Sequence, residues 1–145
     1  MARLDLPADD YLLTRDAFRW AVFARANERC VLCGAPATDA HHILDRKLYP
    51  DGGYYLGNGA AVCGTCHLDC ETTQVNVAAV RAAAGIHQPV LPPGLAVSVD
   101  YDKWGNKCWP SGMRTPGPLG QDEGMRRALA RGGFLGWLAQ PGYCE

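Results

Sequence analysis

The sequence lacks a surplus of positive charge. Its 145 residues include 14 Lys or Arg and 15 Asp or Glu, so the formal net charge at pH 7 is −1. Proteins that bind nucleic acid through a broad basic surface carry a clear excess of Lys and Arg. The balance excludes that mode, and any binding to nucleic acid must therefore come from a local basic patch or from a bound cation.

The sequence also lacks a long apolar run and a secretory leader. Residues 1–13 show no basic segment followed by an apolar one, and no apolar run approaches the roughly 20 residues that a membrane span needs. These absences predict a cytoplasmic protein without membrane contact, in a compartment where thiols stay reduced.

Many of the apolar residues are alanines, which predicts a modest core, and 17 Gly and 10 Pro indicate a loop-rich chain. Small loop-rich folds often need a staple such as a structural metal. The seven cysteines include two Cys-x-x-Cys pairs, which in a reducing compartment indicate metal ligands rather than disulfides.

The paired cysteines have the spacing C-x2-C-x29-C-x2-C. They are Cys30, Cys33, Cys63 and Cys66. Two such pairs place four thiolates about 2.3 Å from one Zn²⁺, which fills the tetrahedron and leaves no open position for chemistry. A structural zinc is therefore predicted. His67 or Cys70 could replace one of the four, and Cys108 and Cys144 are left without a role.

Local patterns predict the main elements. Helices are expected over residues 14–28, with Thr14 as the cap, over 64–85 and over 121–133. Strands are expected over 37–44, 60–62 and 95–101, and the stretch from Trp104 to Gly120 is predicted to be irregular.

The adjacent histidines His41 and His42 lie on the first predicted strand. Neighbouring side chains of a strand point to opposite faces. One imidazole can then face the helix that carries His67, while the other faces solvent and a substrate. Asn58 and His67 are likewise not needed by the zinc.

These motifs together resemble the zinc-containing branch of the HNH endonucleases, the ββα-metal nucleases. The resemblance is carried by "CVLCG", "DAHHI" and "NGAAVCGTCH", with Asn58 five residues before Cys63, and it covers about residues 15–80. It implies an α+β fold with a small zinc-stapled, treble-clef-like ββα core, an N-terminal helix and an irregular C-terminal extension. The predicted division is a nuclease core over 1–85 and an extension of unknown role, packed on the core, over 86–145.

The resemblance also implies roles for single residues. His42 falls at the position of the general base, and Asn58 at that of the residue that holds the loop and orients the base. His41 and His67 fall at the ligand positions of a catalytic divalent cation. Many family members have Asp where this chain has His41. Imidazole suits Zn²⁺ and Ni²⁺ better than Mg²⁺, so Mg²⁺, Mn²⁺, Ni²⁺ and Zn²⁺ all stay open.

The expected activity is hydrolysis or nicking of double- or single-stranded DNA. Arg46 and Lys47 follow the histidine strand and are predicted to contact the substrate phosphate, with a solvated turn as the alternative. Tyr54 and Tyr55 are expected to pack under their loop, with stacking on bases as the alternative. Two other functions stay open, a non-catalytic zinc module that binds nucleic acid or protein and an RNA-directed nuclease. The oligomeric state is left open.

Overall fold

The computed structural model describes residues 5–139, which form a small mixed α/β fold; Cys144 lies outside this range. The described chain holds four α-helices and two small antiparallel sheets. In chain order these elements are α1 (Arg15–Arg25), β1 (Asp39–His42), β2 (Gly59–Val62), α2 (Gly64–Glu71), α3 (Val77–Ala84), β3 (Lys107–Cys108), β4 (Arg114–Thr115) and α4 (Glu123–Gly132).

Helix α1 confirms the first predicted helix. The Thr14 hydroxyl accepts a hydrogen bond from the Ala17 N–H at 3.1 Å, which caps the helix as expected. The helix ends at Arg25, earlier than predicted, because Asn27 and Glu28 take positive φ values of 52° and 60°. Its buried face consists of Phe18, Ala21 and Val22.

Strands β1 and β2 pair antiparallel, with His41 opposite Ala60 and His42 opposite Gly59. Strand β1 covers the middle of the predicted segment only, and β2 begins one residue before the prediction. Helix α1 packs closely on this sheet at Gly59. A Cβ added to Gly59 would lie 2.5 Å from Val22 Cγ2 and 2.7 Å from Phe18 Cε1. A glycine is therefore required at this position for space.

We expect Gly59→Ala to lower the free energy of unfolding by about 1–3 kcal/mol, because a methyl group would push α1 away from the sheet. Urea denaturation measures the change. Gly136→Ala is the matched control, since a Cβ there meets no atom within 4 Å. Equal stability of the two variants would show that α1 does not pack this tightly on β2.

The single helix predicted over residues 64–85 is wrong. The chain forms α2 and α3 instead, with a break at Thr73, whose φ is 62°. Asn76 begins the second helix by accepting a hydrogen bond from the Ala79 N–H at 2.7 Å. Threonine and asparagine compete for backbone hydrogen bonds, which favours helix ends over helix interiors.

The strand predicted over residues 95–101 is also wrong. These residues are irregular with a turn at residues 97–98, Val97 is 76% exposed, and in this segment only Tyr101 makes a β-bridge, to Lys107. The stretch predicted to be irregular contains the β3–β4 hairpin, with Cys108 paired to Arg114. The predicted third helix is confirmed as α4, and its Met125 and Leu129 are fully buried against Trp104 and Leu138.

Each of the helices within residues 5–139 is too short or too polar to cross a lipid bilayer.

Candidate functional site

The four paired cysteines converge on one point. The Sγ atoms of Cys30, Cys33, Cys63 and Cys66 all lie within 4.8 Å of one another. The Sγ atoms of Cys33 and Cys63 are 3.6 Å apart. Ligands at 2.3 Å from a tetrahedral zinc are separated by about 3.8 Å, so the arrangement fits a metal such as zinc. Helix α2 begins in this cluster, since Cys63 Sγ accepts from the Cys66 N–H at 3.5 Å.

The backbone N–H groups around Cys30, in the first Cys-x-x-Cys pair, favour a metal-binding thiolate. Burial acts to raise the pKa of the Cys30 thiol, but N–H groups at Cys63, Leu32 and Cys33 outweigh burial and lower that pKa to about 6. The six cysteines in the described range are free thiols. Cys70 is buried outside the cluster, and His67 belongs to a different group of side chains, so neither takes part in this arrangement.

A second group of possible metal ligands lies between β1 and α2. His41, His67 and Glu71 each offer one atom, and these three atoms lie within 4.8 Å of one another. Glu71 Oε1 is 3.0 Å from His67 Nε2 and 3.8 Å from His41 Nδ1. We call this group the His41–His67–Glu71 cluster. In contrast to four cysteines, three ligands leave coordination positions open for water or substrate.

The buried nitrogen of His41 indicates that this cluster fits a cation. His41 is 2% exposed, and its Nδ1 has no hydrogen-bond partner among residues 5–139. An unpaired buried nitrogen is unfavourable in a folded protein. Burial, followed by the positive charge of Lys103, lowers the pKa of His41 well below its ordinary value. The imidazole is therefore neutral, which is the form that binds a metal.

Glu71 is the residue that the sequence analysis missed. It lies four residues after His67, and residues at this spacing are neighbours on one face of a helix. The pattern His-x3-Glu beginning directly after a Cys-x-x-Cys pair was therefore a usable signal. The pKa of His67 is raised by its hydrogen bond to Glu71.

Two aspartates near the cluster contact His67 and Lys103 and are not among the three possible ligands. Asp39 Oδ2 lies 3.5 Å from His67 Nδ1, so it helps to orient the ring and leaves Nε2 facing Glu71. Asp45 Oδ1 pairs with Lys103 Nζ at 2.9 Å. Neither carboxylate belongs to the group of three ligand atoms within the described chain.

His42 lies on the opposite face of β1 from His41. Its ring stacks on Phe18 of α1, with the centroids 4.7 Å apart and the planes at 21°, and it meets the edge of Tyr54 at 4.9 Å. These two aromatic rings restrict its orientation. The alternation expected for neighbouring strand residues is thus present, with one imidazole directed to α2 and the other to α1. The expectation that the second imidazole faces solvent is wrong for its Nε2, which is buried and has no hydrogen-bond partner among the described residues.

The surroundings of His42 favour a neutral ring. Burial, then the positive charges of Lys103 and Arg46, lower the pKa of His42 to about 4, whereas an ordinary histidine has a pKa near 6.5. The imidazole is therefore unprotonated throughout the neutral pH range.

Asn58 is fully buried and holds the backbone beyond the strand rather than the His42 ring. Its Oδ1 accepts from the Leu44 N–H at 2.9 Å, and its Nδ2 donates to the carbonyls of Leu44 at 3.0 Å and Gly53 at 3.4 Å. The loop before β2 is thereby tied to the end of β1. These three hydrogen bonds go to backbone groups and not to the His42 ring, whose Nε2 has no partner among the described residues.

The two predicted substrate cations differ in their surroundings. Arg46 is exposed, with its guanidinium 5.5 Å from the centre of the Tyr54 ring. Lys47 Nζ is paired with both oxygens of Asp122 at 3.0 Å, at the start of α4. Tyr54 packs on Phe18 and His42, and the Tyr55 hydroxyl donates to Asp51, so both tyrosines pack within the loop as expected.

Comparisons with protein-family models, with curated proteins and with solved structures found no match to this chain.

Proposed function

We propose that this protein is an HNH-type endonuclease that hydrolyses phosphodiester bonds in DNA with a divalent cation at the His41–His67–Glu71 cluster. The observation that carries the proposal is the pairing of two histidine environments across one strand. One imidazole joins a group of three metal ligands with open coordination positions, and its neighbour is held as a neutral base. A zinc module that only binds a partner requires neither feature.

The order of the elements supports the same proposal. Two antiparallel strands are followed directly by α2, which begins at the four-cysteine cluster and carries His67 and Glu71. The four cysteines would therefore hold α2 against the histidine strand. This is the ββα order that the sequence resemblance implies.

The residues of the proposed site then have distinct tasks. When bound, a divalent cation supplies Lewis-acid stabilisation of the charge that develops on phosphate oxygens. His42 accepts the proton of the attacking water, while Phe18 and Tyr54 keep its ring in a fixed orientation. Arg46 is exposed near His42 and is suited to a phosphate of the substrate, whereas Lys47 is already neutralised by Asp122.

Supercoiled plasmid DNA incubated with Mg²⁺, Mn²⁺, Ni²⁺ or Zn²⁺ tests the proposal. We expect nicked and then linear DNA with at least one cation and none in excess chelator. Single-stranded DNA and RNA digested side by side with the plasmid separate the DNA enzyme from an RNA-directed nuclease. No cleavage of any substrate with any cation would favour the non-catalytic zinc module.

We expect Glu71→Gln to weaken binding of Mn²⁺ by at least 10-fold, because the amide keeps the shape of the side chain but removes the anionic ligand. Cleavage at low Mn²⁺ should fall, and a higher concentration should restore part of it. Calorimetric titration and the nicking assay measure both effects. Asp69→Asn on the same helix is the control, since it removes a carboxylate outside the cluster. Unchanged Mn²⁺ affinity in Glu71→Gln would remove Glu71 from the ligand set.

A further inference from the structure

The segment after residue 85 reaches the cation site through a buried lysine. Lys103 is 4% exposed, and its ammonium lies 2.9 Å from Asp45 Oδ1 and 3.5 Å from Glu71 Oε2. A buried ammonium is costly unless it is paired. Its pairing with Glu71 uses the carboxylate oxygen that does not face the two histidines, since Oε1 faces His67 and His41.

The side chain of the neighbouring Trp104 holds the backbone of the same glutamate. Trp104 Nε1 donates to the Glu71 carbonyl at 3.1 Å, and the Lys103 ammonium lies 4.5 Å from the centre of the Trp104 ring. The Lys103 carbonyl in turn accepts from the Asp45 N–H at 2.9 Å. Glu71 is thus held at two points by the consecutive residues Lys103 and Trp104, and Asp45 is held at two points by Lys103.

A buried hydrogen-bonded turn presents these two residues. Asp102 Oδ1 accepts from the N–H groups of Trp104 at 2.9 Å and Asn106 at 3.0 Å, and Asp102 Oδ2 lies 3.1 Å from an Arg114 guanidinium nitrogen. Gly105 takes φ +81°, and a Cβ there would lie 2.8 Å from Leu48 Cδ2. The turn over residues 102–106 is therefore rigid and closely packed on the core.

We infer that Lys103 is a positioning residue that holds Glu71 Oε1 toward His41 and His67, so that the turn over residues 102–106 completes the cation site. This inference rests on the proposed cation at the His41–His67–Glu71 cluster. Without Lys103 the Glu71 side chain keeps its bond to His67 but loses the contact that fixes its other oxygen.

The direction in which cation affinity changes when Lys103 is replaced distinguishes a positioning role from a purely electrostatic one. Removing a positive charge near a cation site would by itself strengthen cation binding, because like charges repel. Removing a group that orients a ligand typically weakens metal affinity by about 10- to 100-fold. We therefore expect Lys103→Met to weaken binding of Mn²⁺ and of Ni²⁺ by about 10- to 100-fold.

A double-mutant cycle with Glu71→Gln tests whether Lys103 acts through Glu71. Cation affinity is measured by titrating the zinc-loaded protein with Mn²⁺ or Ni²⁺, independently of any cleavage. If the inference is right, Lys103→Met changes affinity less than about 3-fold when Glu71→Gln is already present. Lys107→Met is the matched control, since that ammonium lies 4.0 Å from the Trp109 ring, outside the cluster.

Three results would overturn the inference: equal or tighter binding by Lys103→Met, additive effects of the two substitutions, and a wild-type protein that binds neither cation beyond its zinc. If Lys103→Met does not fold, as judged by zinc content and thermal unfolding, Lys103→Gln is used in the same cycle and the same coupling decides. Absence of cleavage by the wild type together with intact coupling would contradict the proposed nuclease but leave this inference standing.

Discussion

Replacing His42 with alanine is expected to lower the rate of DNA cleavage by on the order of 10²- to 10⁴-fold, the usual effect of losing a general base. The substitution removes the neutral imidazole but leaves the His41–His67–Glu71 cluster and the four cysteines in place. Zinc content and affinity for Mn²⁺ should therefore stay close to those of the wild type. Single-turnover nicking at saturating Mn²⁺, together with calorimetric titration, measures both quantities.

His87→Ala is the matched control for this experiment, because His87 is exposed and lies outside the clusters of the described chain. Its rate should equal that of the wild type. Added imidazole should restore part of the activity of His42→Ala, whereas added metal should not. Full activity in His42→Ala, or loss of Mn²⁺ binding, would show that the roles assigned to the two neighbouring histidines are wrong.

Replacing Cys33 with serine is expected to remove the zinc and to lower the free energy of unfolding by more than about 4 kcal/mol, the range typical of a lost metal site. Cys33 is exposed, so serine removes almost no packing, and the destabilisation would report the metal alone. Binding of structural zinc and folding are coupled in small domains. Elemental analysis should give one zinc per chain for the wild type and close to none for the variant.

Cys108→Ser is the control, since this half-buried thiol lies outside the four-cysteine cluster. It should keep its zinc and lose less than about 1 kcal/mol of stability, as expected for a site away from metals and the closely packed core. Thermal unfolding with and without chelator completes the comparison. A Cys33→Ser protein with unchanged zinc content and melting temperature would rule out this site.

Local spacing was enough to predict features that lie within one element or within one Cys-x-x-Cys pair. Each Cys-x-x-Cys pair indicated two ligands of one metal, and the Thr14 cap of α1 followed from the preference of threonine for helix N-termini. The placement of His41 and His42 on opposite faces followed from the alternation of side chains along a strand. In each case a fixed backbone geometry relates residues that are close in the sequence, whereas the meeting of the two cysteine pairs, 30 positions apart, was predicted from the four-ligand chemistry of zinc.

The break between α2 and α3 was not predicted. Alanine-rich composition favoured one helix over residues 64–85, since helix propensity adds over a window. In the structure Thr73 takes a left-handed conformation, Arg114 donates to its hydroxyl at 2.9 Å, and Asn76 starts a new helix. A hydrogen bond from a residue 41 positions away is invisible to a local pattern.

The sequence by itself indicated the four paired cysteines, His41 and His67 as possible metal ligands, and it predicted that His41 and His42 occupy opposite faces of one strand. Only the tertiary structure decided that Glu71 joins the two histidines, that Lys103 pairs with Glu71 and Asp45, and that burial and nearby cations lower the pKa of His42. The physical reason is distance along the chain. The Lys103–Asp45 contact joins residues 58 positions apart, and such contacts form only when separate elements bury their apolar faces together.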